Sequence, residues 1–368
     1  MNGRTIATQP MELSKGPVLV TGGAGFIGCV LASKLVESGA RVVVVDVLHP
    51  QVHASSGRPP RLNDEVELLP VDVTATSEWD AVLKLVRPSH VVHLAAETGT
   101  GQSLLEASRH GRVNVVGTTE MLDALMRAGI VPDHIVLSSS RAVYGEGEWV
   151  TPGGAAFYPG PRTHAALEGA QWDPIGPDGG VASPRPSAAH RTSPHPTSIY
   201  GATKLAQEHI LSAWCAATGT RLSTLRFQNV YGPGQSPTNA YTGVVTFFAT
   251  SARRGGRLNV YEDGRILRDF VYVEDVVDSI LAALARPPER ARVVDIGSGT
   301  TVSIHDVART IAAAFDAPEP AVSGQFRDGD VRAAITDIEA AAKELAYQPK
   351  WTLQQGIATL VSSMTEDQ

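Results

Sequence analysis

Residues 16–46 read GPVLVTGGAGFIGCVLASKLVESGARVVVVD. VLVT is a short apolar run of the kind that forms a strand buried on both faces. TGGAGFIG, at 21–28, leads directly into an amphipathic stretch that stops at Gly39, a helix with a glycine at its end. ARVVVVD is a second buried strand. Strand, glycine turn, helix and strand in that order open a doubly wound parallel sheet.

The alternation continues outward from this stretch. VELLPVD, HVVHLAA and HIVLSSS read as three more strands, separated by EWDAVLKLV and by a long helix over roughly 102–128. From about 149 to 196 the periodicity stops in favour of proline and glycine. An insert this long is functional or disordered more often than it is a plain connection. SIYGATKLAQEHILSAWCAATG restores a helix, over roughly 198–218, and RLSTLRFQNVYG runs from strand into loop. Shorter helical and strand patterns fill the rest. The expected class is α/β: a Rossmann-type doubly wound parallel sheet with a smaller C-terminal α/β substrate domain. The expected division is a flexible arm at 1–16, a cofactor domain at 17–228 and a sugar-nucleotide domain at 229–368.

The bulk numbers agree with an enzyme of that size. The chain has 368 residues, 43% of them apolar, enough for a sizeable core. Its net charge is −7 without a basic run, which argues against nucleic acid and membrane as partners. The two cysteines, Cys29 and Cys215, fall inside expected helices, so neither a disulfide framework nor a cysteine zinc site is expected. The first sixteen residues lack an apolar core of signal-peptide type, and a reducing cytoplasm fits.

Gly22, Gly25 and Gly28 allow a tight turn, a close backbone approach to a pyrophosphate, and tight helix–strand packing. Asp46 ends the second strand, where a carboxylate bonds a ribose 2′-hydroxyl. No Arg or Lys follows it to meet a 2′-phosphate, so NAD is favoured over NADP. Asp72, at the end of the third strand, reads equally as an adenine-edge neighbour and as a cap for the next segment. Tyr200 and Lys204 are four residues apart on one helix and share a face. A phenol is a poor base at neutral pH, and a nearby ammonium favours its ionised form. The serines ending HIVLSSS include a hydroxyl able to bond the same substrate oxygen, though strand-end serines also simply form turns.

TGGAGFIG, Asp46, HLAA, SSS and YGATK, in this order, resemble the extended short-chain dehydrogenase/reductase family over about 17–365. RFQNVYGPGQ, GRLNVYEDG, RDFVYVEDV and RDGDVR are similar to its nucleotide-sugar epimerase/dehydratase branch. That resemblance implies NAD held along Phe26, Ile27, Val73, Leu94, Ala95 and Ala96 in addition to the glycines, Asp46 and Asp72. It implies Ser140, Tyr200 and Lys204 as the catalytic group. Asn229 would hold the diphosphate or the sugar, and Arg268 and Arg327 would pair with the diphosphate, with Asp330 beside them. Asn259 and Tyr261 would lie along the base, and Ser139 and Arg141 at the sugar. Without the resemblance, Arg268 and Arg327 read as surface partners of adjoining aspartates. A homodimer built from the two long helices is also implied.

SSSRAVYGEG, YPGPR…LEGAQWDP and FQNVYGPGQSPTNAYTG further resemble the dTDP-L-rhamnose 4-epimerase group. Cysteine pairs occur in that group's insert. Here the matching places read TPGGA and GPDGG, so no metal is implied and the insert must fold by packing alone or move. The resemblance implies C4 inversion of a dTDP-linked 6-deoxyhexose through a 4-ketose, with NAD regenerated. In 4,6-dehydratases the hydroxyl residue is followed by Asp-Glu; here Arg141 and Ala142 follow Ser140 and cannot do that acid–base work. A UDP-hexose 4-epimerase, a ketoreductase and a decarboxylase are the other enzymatic readings, and an NAD-binding sensor the non-enzymatic one.

Overall fold

The computed structural model describes residues 16–53, 56–236 and 243–366. Nearly all of the arm expected at 1–16 lies outside the described residues. The main sheet has seven parallel strands: β1 Val18–Thr21, β2 Val42–Asp46, β3 Glu67–Pro70, β4 His90–His93, β5 His134–Ser140, β6 Arg221–Phe227 and β7 Ala291–Ile296. Their spatial order is β7-β6-β5-β4-β1-β2-β3. The order reverses between β1 and β4, and a crevice for ligands opens above the strand ends at such a point. β1 and β2 are fully buried along their length, which is why they are runs of Val and Leu rather than alternating strands.

Both faces are covered by helices. Leu31 and Leu35 of helix Phe26–Glu37 pack on one side with Ile280 of Val273–Ala285 and Leu345 of Glu339–Leu345. Trp79 of Thr76–Leu85, Met121 and Leu125 of Gly117–Arg127, and Leu211 of Ile199–Thr218 pack on the other. The single helix expected over 102–128 is broken into Thr100–Leu105, Ala107–His110, a π-helical turn Gly111–Val116 and Gly117–Arg127. The π turn carries buried Asn114, whose amide bonds both Glu97 main-chain groups and the Thr203 hydroxyl. Such wide turns commonly re-aim one side chain within a helix.

A smaller sheet sits beyond β6. Strand Leu267–Tyr272 pairs with Asn229–Tyr231, Thr301–Ser303 and Ala333–Ala334. Helices Val244–Arg253, Ile304–Ala314 and Leu353–Glu366 cover it through Phe248, Val307, Ile311 and Leu360.

The stretch at 149–196 is ordered. Trp149–Val150, Ala156–Phe157 and Ser183–Pro184 form a three-stranded antiparallel sheet over a small core of Trp149, Ala182 and Ala333. Packing is not all that fixes it. Arg162 meets Glu146 at 3.2 Å and Glu262 at 2.8 Å, and Arg332 meets Glu262 at 2.9 Å, Asp263 at 2.7 Å and Asp173 at 2.7 Å. Ser187 and Ala189 add main-chain links to Ile335 and Asp295. Among the described residues no group of His, Cys, Asp or Glu could hold a metal ion, and no helix is long and apolar enough to cross a membrane.

Candidate functional site

A cavity of about 530 Å³ opens at the strand ends, on the crevice the topology provides. Its floor is the glycine turn. Gly22 has φ +66°, and a Cβ there would lie 2.7 Å from the Ala95 nitrogen. A Cβ on Gly28 would lie 2.5 Å from the Gly23 backbone. Side chains are therefore excluded from both positions, and helix Phe26–Glu37 starts hard against the cavity with its free N–H groups facing in.

Asp46 is 8% exposed. It accepts the Ala24 amide at 3.1 Å and the Leu48 amide at 2.9 Å, which fixes the carboxylate at the cavity wall. Asp72 accepts the Thr74 amide and hydroxyl, both at 2.8 Å, while lining the same wall, so its turn-forming role and its place at the cavity coexist. Phe26, Ile27, Val73, Leu94, Ala95 and Ala96 line the cavity too. His93, behind them, bonds Thr21 at 2.7 Å and Thr118 at 3.0 Å; burial, with Lys204 nearby, lowers its pKa to about 3, so the ring stays neutral.

One charged residue lining the cavity was not visible in the sequence. Arg109 arrives from the broken helical stretch, bonding Gln51 at 3.1 Å. It is held by Glu97 and Glu106, each at 2.8 Å. No local pattern announces it, because only the tertiary fold brings it to the cavity. Its charge is already matched by two carboxylates.

The three strand-end serines take three different roles. The Ser138 hydroxyl donates to the His93 carbonyl at 3.1 Å. Ser139 donates to the buried Glu208 carboxylate. Ser140 caps the short 3-10 turn Arg141–Tyr144 by accepting the Ala142 amide at 3.1 Å, and it lines the cavity together with Tyr200. Tyr200 stands in the first turn of helix Ile199–Thr218, started by Ser198, whose hydroxyl accepts the Gly201 amide at 3.0 Å. Ser139, Ser140, Tyr200 and Lys204 all line the cavity.

The electrostatics differ from the sequence expectation in one respect. Burial raises the Tyr200 pKa, and the two influences opposing it are the Ser140 hydrogen bond and the Arg141 charge. Lys204 is not among them. It is 2% exposed, and burial lowers its own pKa to about 7, with the Glu208 carboxylate pulling the other way. Arg141, one residue past Ser140, is a positive charge that favours the phenolate. Burial disfavours the Arg141 charge, and Asp330, Tyr200 and Glu146 favour it.

The remaining substrate candidates are not among the residues lining this cavity, though Arg141 follows Ser140 and Asn229 lies between Gln228 and Val230, which are. Asn229, Asn259, Tyr261, Arg268, Arg327 and Asp330 do not line it, nor does Arg141. Arg327 lies over the Tyr261 ring at 5.2 Å, a cation–π contact. Asn259 is exposed in a two-residue strand paired with Ala321–Val322. The Asp330 carbonyl accepts from Arg162 at 2.7 Å. Arg268 is 6% exposed and donates to the carbonyls of Leu267, Val331 and Arg332 rather than to neighbouring aspartates.

Residues 18–164 and 174–297 match the NAD dependent epimerase/dehydratase family. A dTDP-L-rhamnose 4-epimerase of Burkholderia thailandensis is 54% identical over 350 residues, 95% of each chain. A UDP-glucose 4-epimerase of Mycolicibacterium smegmatis is 30% identical, over 93% of this chain and 96% of that one. Among solved structures, the UDP-glucose 4-epimerase of Thermotoga maritima with UDP-glucose superposes with a TM-score of 0.77 at 29% identity, covering 95% and 99% of the two chains. That of Thermus thermophilus in complex with NAD gives 0.76 at 27% identity, with the same coverage.

Proposed function

The chain belongs to the NAD dependent epimerase/dehydratase family, and on that footing we propose that it inverts C4 of a dTDP-linked 6-deoxyhexose, dTDP-L-rhamnose first. The observation that carries the reading is the meeting of Ser140 and Tyr200 at one end of a cavity whose other wall holds Asp46. The glycine turn, Asp46 and the Leu94–Ala96 segment suit NAD: backbone without side chains where a pyrophosphate passes, and a fixed carboxylate at the ribose end. When bound, NAD supplies a reversible hydride acceptor facing C4. The family relatives with NAD and with the same reaction support that choice.

The protein's own part is proton handling and exclusion of water. Tyr200 takes the O4 proton as the carbonyl forms and returns it as the carbonyl is reduced. Ser140 bonds the same oxygen, and Arg141 stabilises the phenolate that exists before the proton is taken and again after it is returned. Lys204, with a pKa near 7, holds a charge that can adapt to the positive cofactor beside it. Arg141 and Ala142 offer no acid and no carboxylate base, so loss of water across C5 and C6 lacks its agents, and epimerisation is favoured over dehydration.

Asn229, Arg268, Arg327 and the Asn259–Tyr261 segment are proposed for the diphosphate and base, with Ser139, Arg141 and Asp330 nearer the sugar. The proposed boundary between cofactor and sugar-nucleotide parts falls at 228/229, where the chain leaves the main sheet for the smaller one. A cytoplasmic homodimer is also proposed. Leu104, Leu105, Val116 and Met126 are exposed along the 100–127 segment, as a helical dimer interface would require. The test is direct: release the cofactor by denaturation, identify it, and follow dTDP-L-rhamnose by NMR. Bound NAD with C4 inversion is expected. Absence of bindable NAD, or NAD without inversion of any sugar nucleotide, would overturn the reading.

A further inference from the structure

Two neighbouring amide side chains at the seam between the sheets have buried oxygens with no hydrogen-bond partner. The Gln228 Oε1 and the Asn229 Oδ1 are both enclosed and unpaired. Gln228 is 5% exposed and lines the cavity beside Ser138, Ser139 and Ser140. Buried polar groups are bonded in the great majority of cases, and a group left over asks for a ligand or an ordered water. The resemblance that singled out Asn229 said nothing of Gln228.

The backbone fixes where this amide can act. Phe227, the last residue of β6, is level with Ser140 on β5. Gln228 is the next residue, and its N–H donates to the Ile296 carbonyl of β7 at 2.9 Å. It stands one strand across from Ser140 and one step past it, toward Asn229. Ser140 and Tyr200 mark the place of the reacting oxygen, and Asn229 lies on the side of the smaller sheet. Gln228, Ser140 and Tyr200 line one cavity, and what a hexose ring in it would offer to an unpaired carbonyl oxygen is a hydroxyl.

We propose that Gln228 recognises the sugar, its amide accepting a hydrogen bond from a ring hydroxyl next to the reacting carbon. The proposal deepens the epimerase reading and rests on it for the identity of the ligand. An amide suits a ring that must present both faces, because it carries an acceptor and a donor on one stem and can meet a hydroxyl in either orientation.

The test compares dTDP with dTDP-L-rhamnose by calorimetry, using the NAD-loaded full-length protein, its Gln228→Met variant and its Gln228→Ala variant. Met keeps the length of the side chain, and Ala leaves nothing to clash. Wild type should prefer dTDP-L-rhamnose to dTDP. Both variants should weaken dTDP-L-rhamnose binding by about 3- to 10-fold, the reach of one neutral hydrogen bond, and leave dTDP binding within about twofold. NAD content and melting temperature should not change. The proposal is overturned if the two ligands weaken equally, if neither weakens, or if wild type does not distinguish them. It is also overturned if NAD content falls, which would give the amide to the nicotinamide instead. Wild type that binds dTDP-L-rhamnose through Gln228 yet never inverts C4 would sink the epimerase reading and leave this one standing.

Discussion

Arg226 and Glu208 form a two-bond ion pair beneath the strand ends, Nε to Oε1 at 2.9 Å and Nη2 to Oε2 at 2.7 Å. Both side chains are under 10% exposed. The pair belongs to a longer chain: Ser139 donates to Glu208, Arg226 donates to the Tyr144 hydroxyl at 2.8 Å, and Tyr144 donates to Asp295 at 2.8 Å. Glu208 also supplies the negative charge that Lys204 feels. Glu208→Leu should therefore cost about 3–5 kcal/mol, because it strands a buried guanidinium. Adding Arg226→Met should recover most of that loss. Urea unfolding of the single and double variants reads both, and a double variant no better than the single would show that the lone charge is not the cause.

Tyr200→Phe should keep NAD content and lower C4 inversion by at least ~100-fold, the scale of lost proton transfer. A rate within tenfold of wild type would remove Tyr200 from the mechanism. Arg141→Met tests the electrostatic assignment. Arg141 favours the phenolate, so removing it raises the Tyr200 pKa further, and the acid limb of the rate profile moves to higher pH. The same shift from Lys204→Met with none from Arg141→Met would return the role to the lysine.

The fold was legible because strand and turn signals are local. VLVT, TGGAGFIG and VVVVD each carry their own reason, and the sheet they announce is the one observed. Tyr200 and Lys204 were legible by helical spacing, and Asp46 by its place at a strand end. What was not legible depends on distant chain segments. Arg109 reaches the cavity from the short helix Ala107–His110, held there by Glu97 and Glu106, and no local pattern signals that placement. The sequence offers Tyr200 one cation, Lys204 on its own helix; the Arg141 charge that favours the same phenolate comes from the neighbouring turn and was not legible. The sequence left the insert either folded by packing alone or mobile, because proline and glycine hide its structure and the charges that pin it, Glu262 and Arg332, lie far along the chain.

Asp46→Ala should weaken NAD binding by about tenfold or more, since a hydrogen bond to a charged group is lost. The preference for NAD over NADP should narrow. Melting temperature must be followed in parallel, because the carboxylate also holds the Ala24 and Leu48 amides. Fluorescence titration with both cofactors measures the ratio, and an unchanged ratio would put the ribose contact elsewhere.

His134 predicts a pH dependence. It is fully buried, bonds the Ser223 hydroxyl at 2.9 Å, and has its pKa lowered to about 3, chiefly by burial. The unfolded ring titrates near pH 6.5. Below that pH the unfolded chain gains a proton that the folded protein refuses, so this contribution to stability is full above pH 6.5 and lost as pH falls. Between pH 7 and pH 5 the loss is about 2 kcal/mol. Glu146, Asp269 and Asp295 act oppositely, since burial raises their pKa values to about 6, 6 and 7. The histidine must therefore be read as a difference: the gap between wild type and His134→Gln in urea should shift by about 2 kcal/mol in the variant's favour on going from pH 7 to pH 5. A gap independent of pH would mean that the ring titrates in the fold as it does in the unfolded chain.

Arg162 is the pin of the insert. Its side chain is 6% exposed, and it holds Glu146 and Glu262, which are 3% and 1% exposed. It also donates to the Asp330 carbonyl, so one guanidinium ties the insert to the 321–332 loop and to the base of the 258–263 segment. Arg332 continues the network but reaches Asp173 and Asp263, which are partly in solvent. Arg162→Met would leave two buried carboxylates facing each other with only Arg332 between them, a loss of about 3–5 kcal/mol if the fold stays closed. The cheaper response is for the insert to lift and let water reach Glu146 and Glu262. Global melting should then fall little, while brief trypsin treatment should cut selectively within 149–196, after Arg191, and should cut there more slowly in the wild type. Arg332→Met should do less to proteolysis, because two of its three carboxylate partners, Asp173 and Asp263, are partly solvated and Glu262 keeps Arg162. Equal resistance of the Arg162→Met variant and wild type would mean that the small core around Trp149 holds the insert by itself.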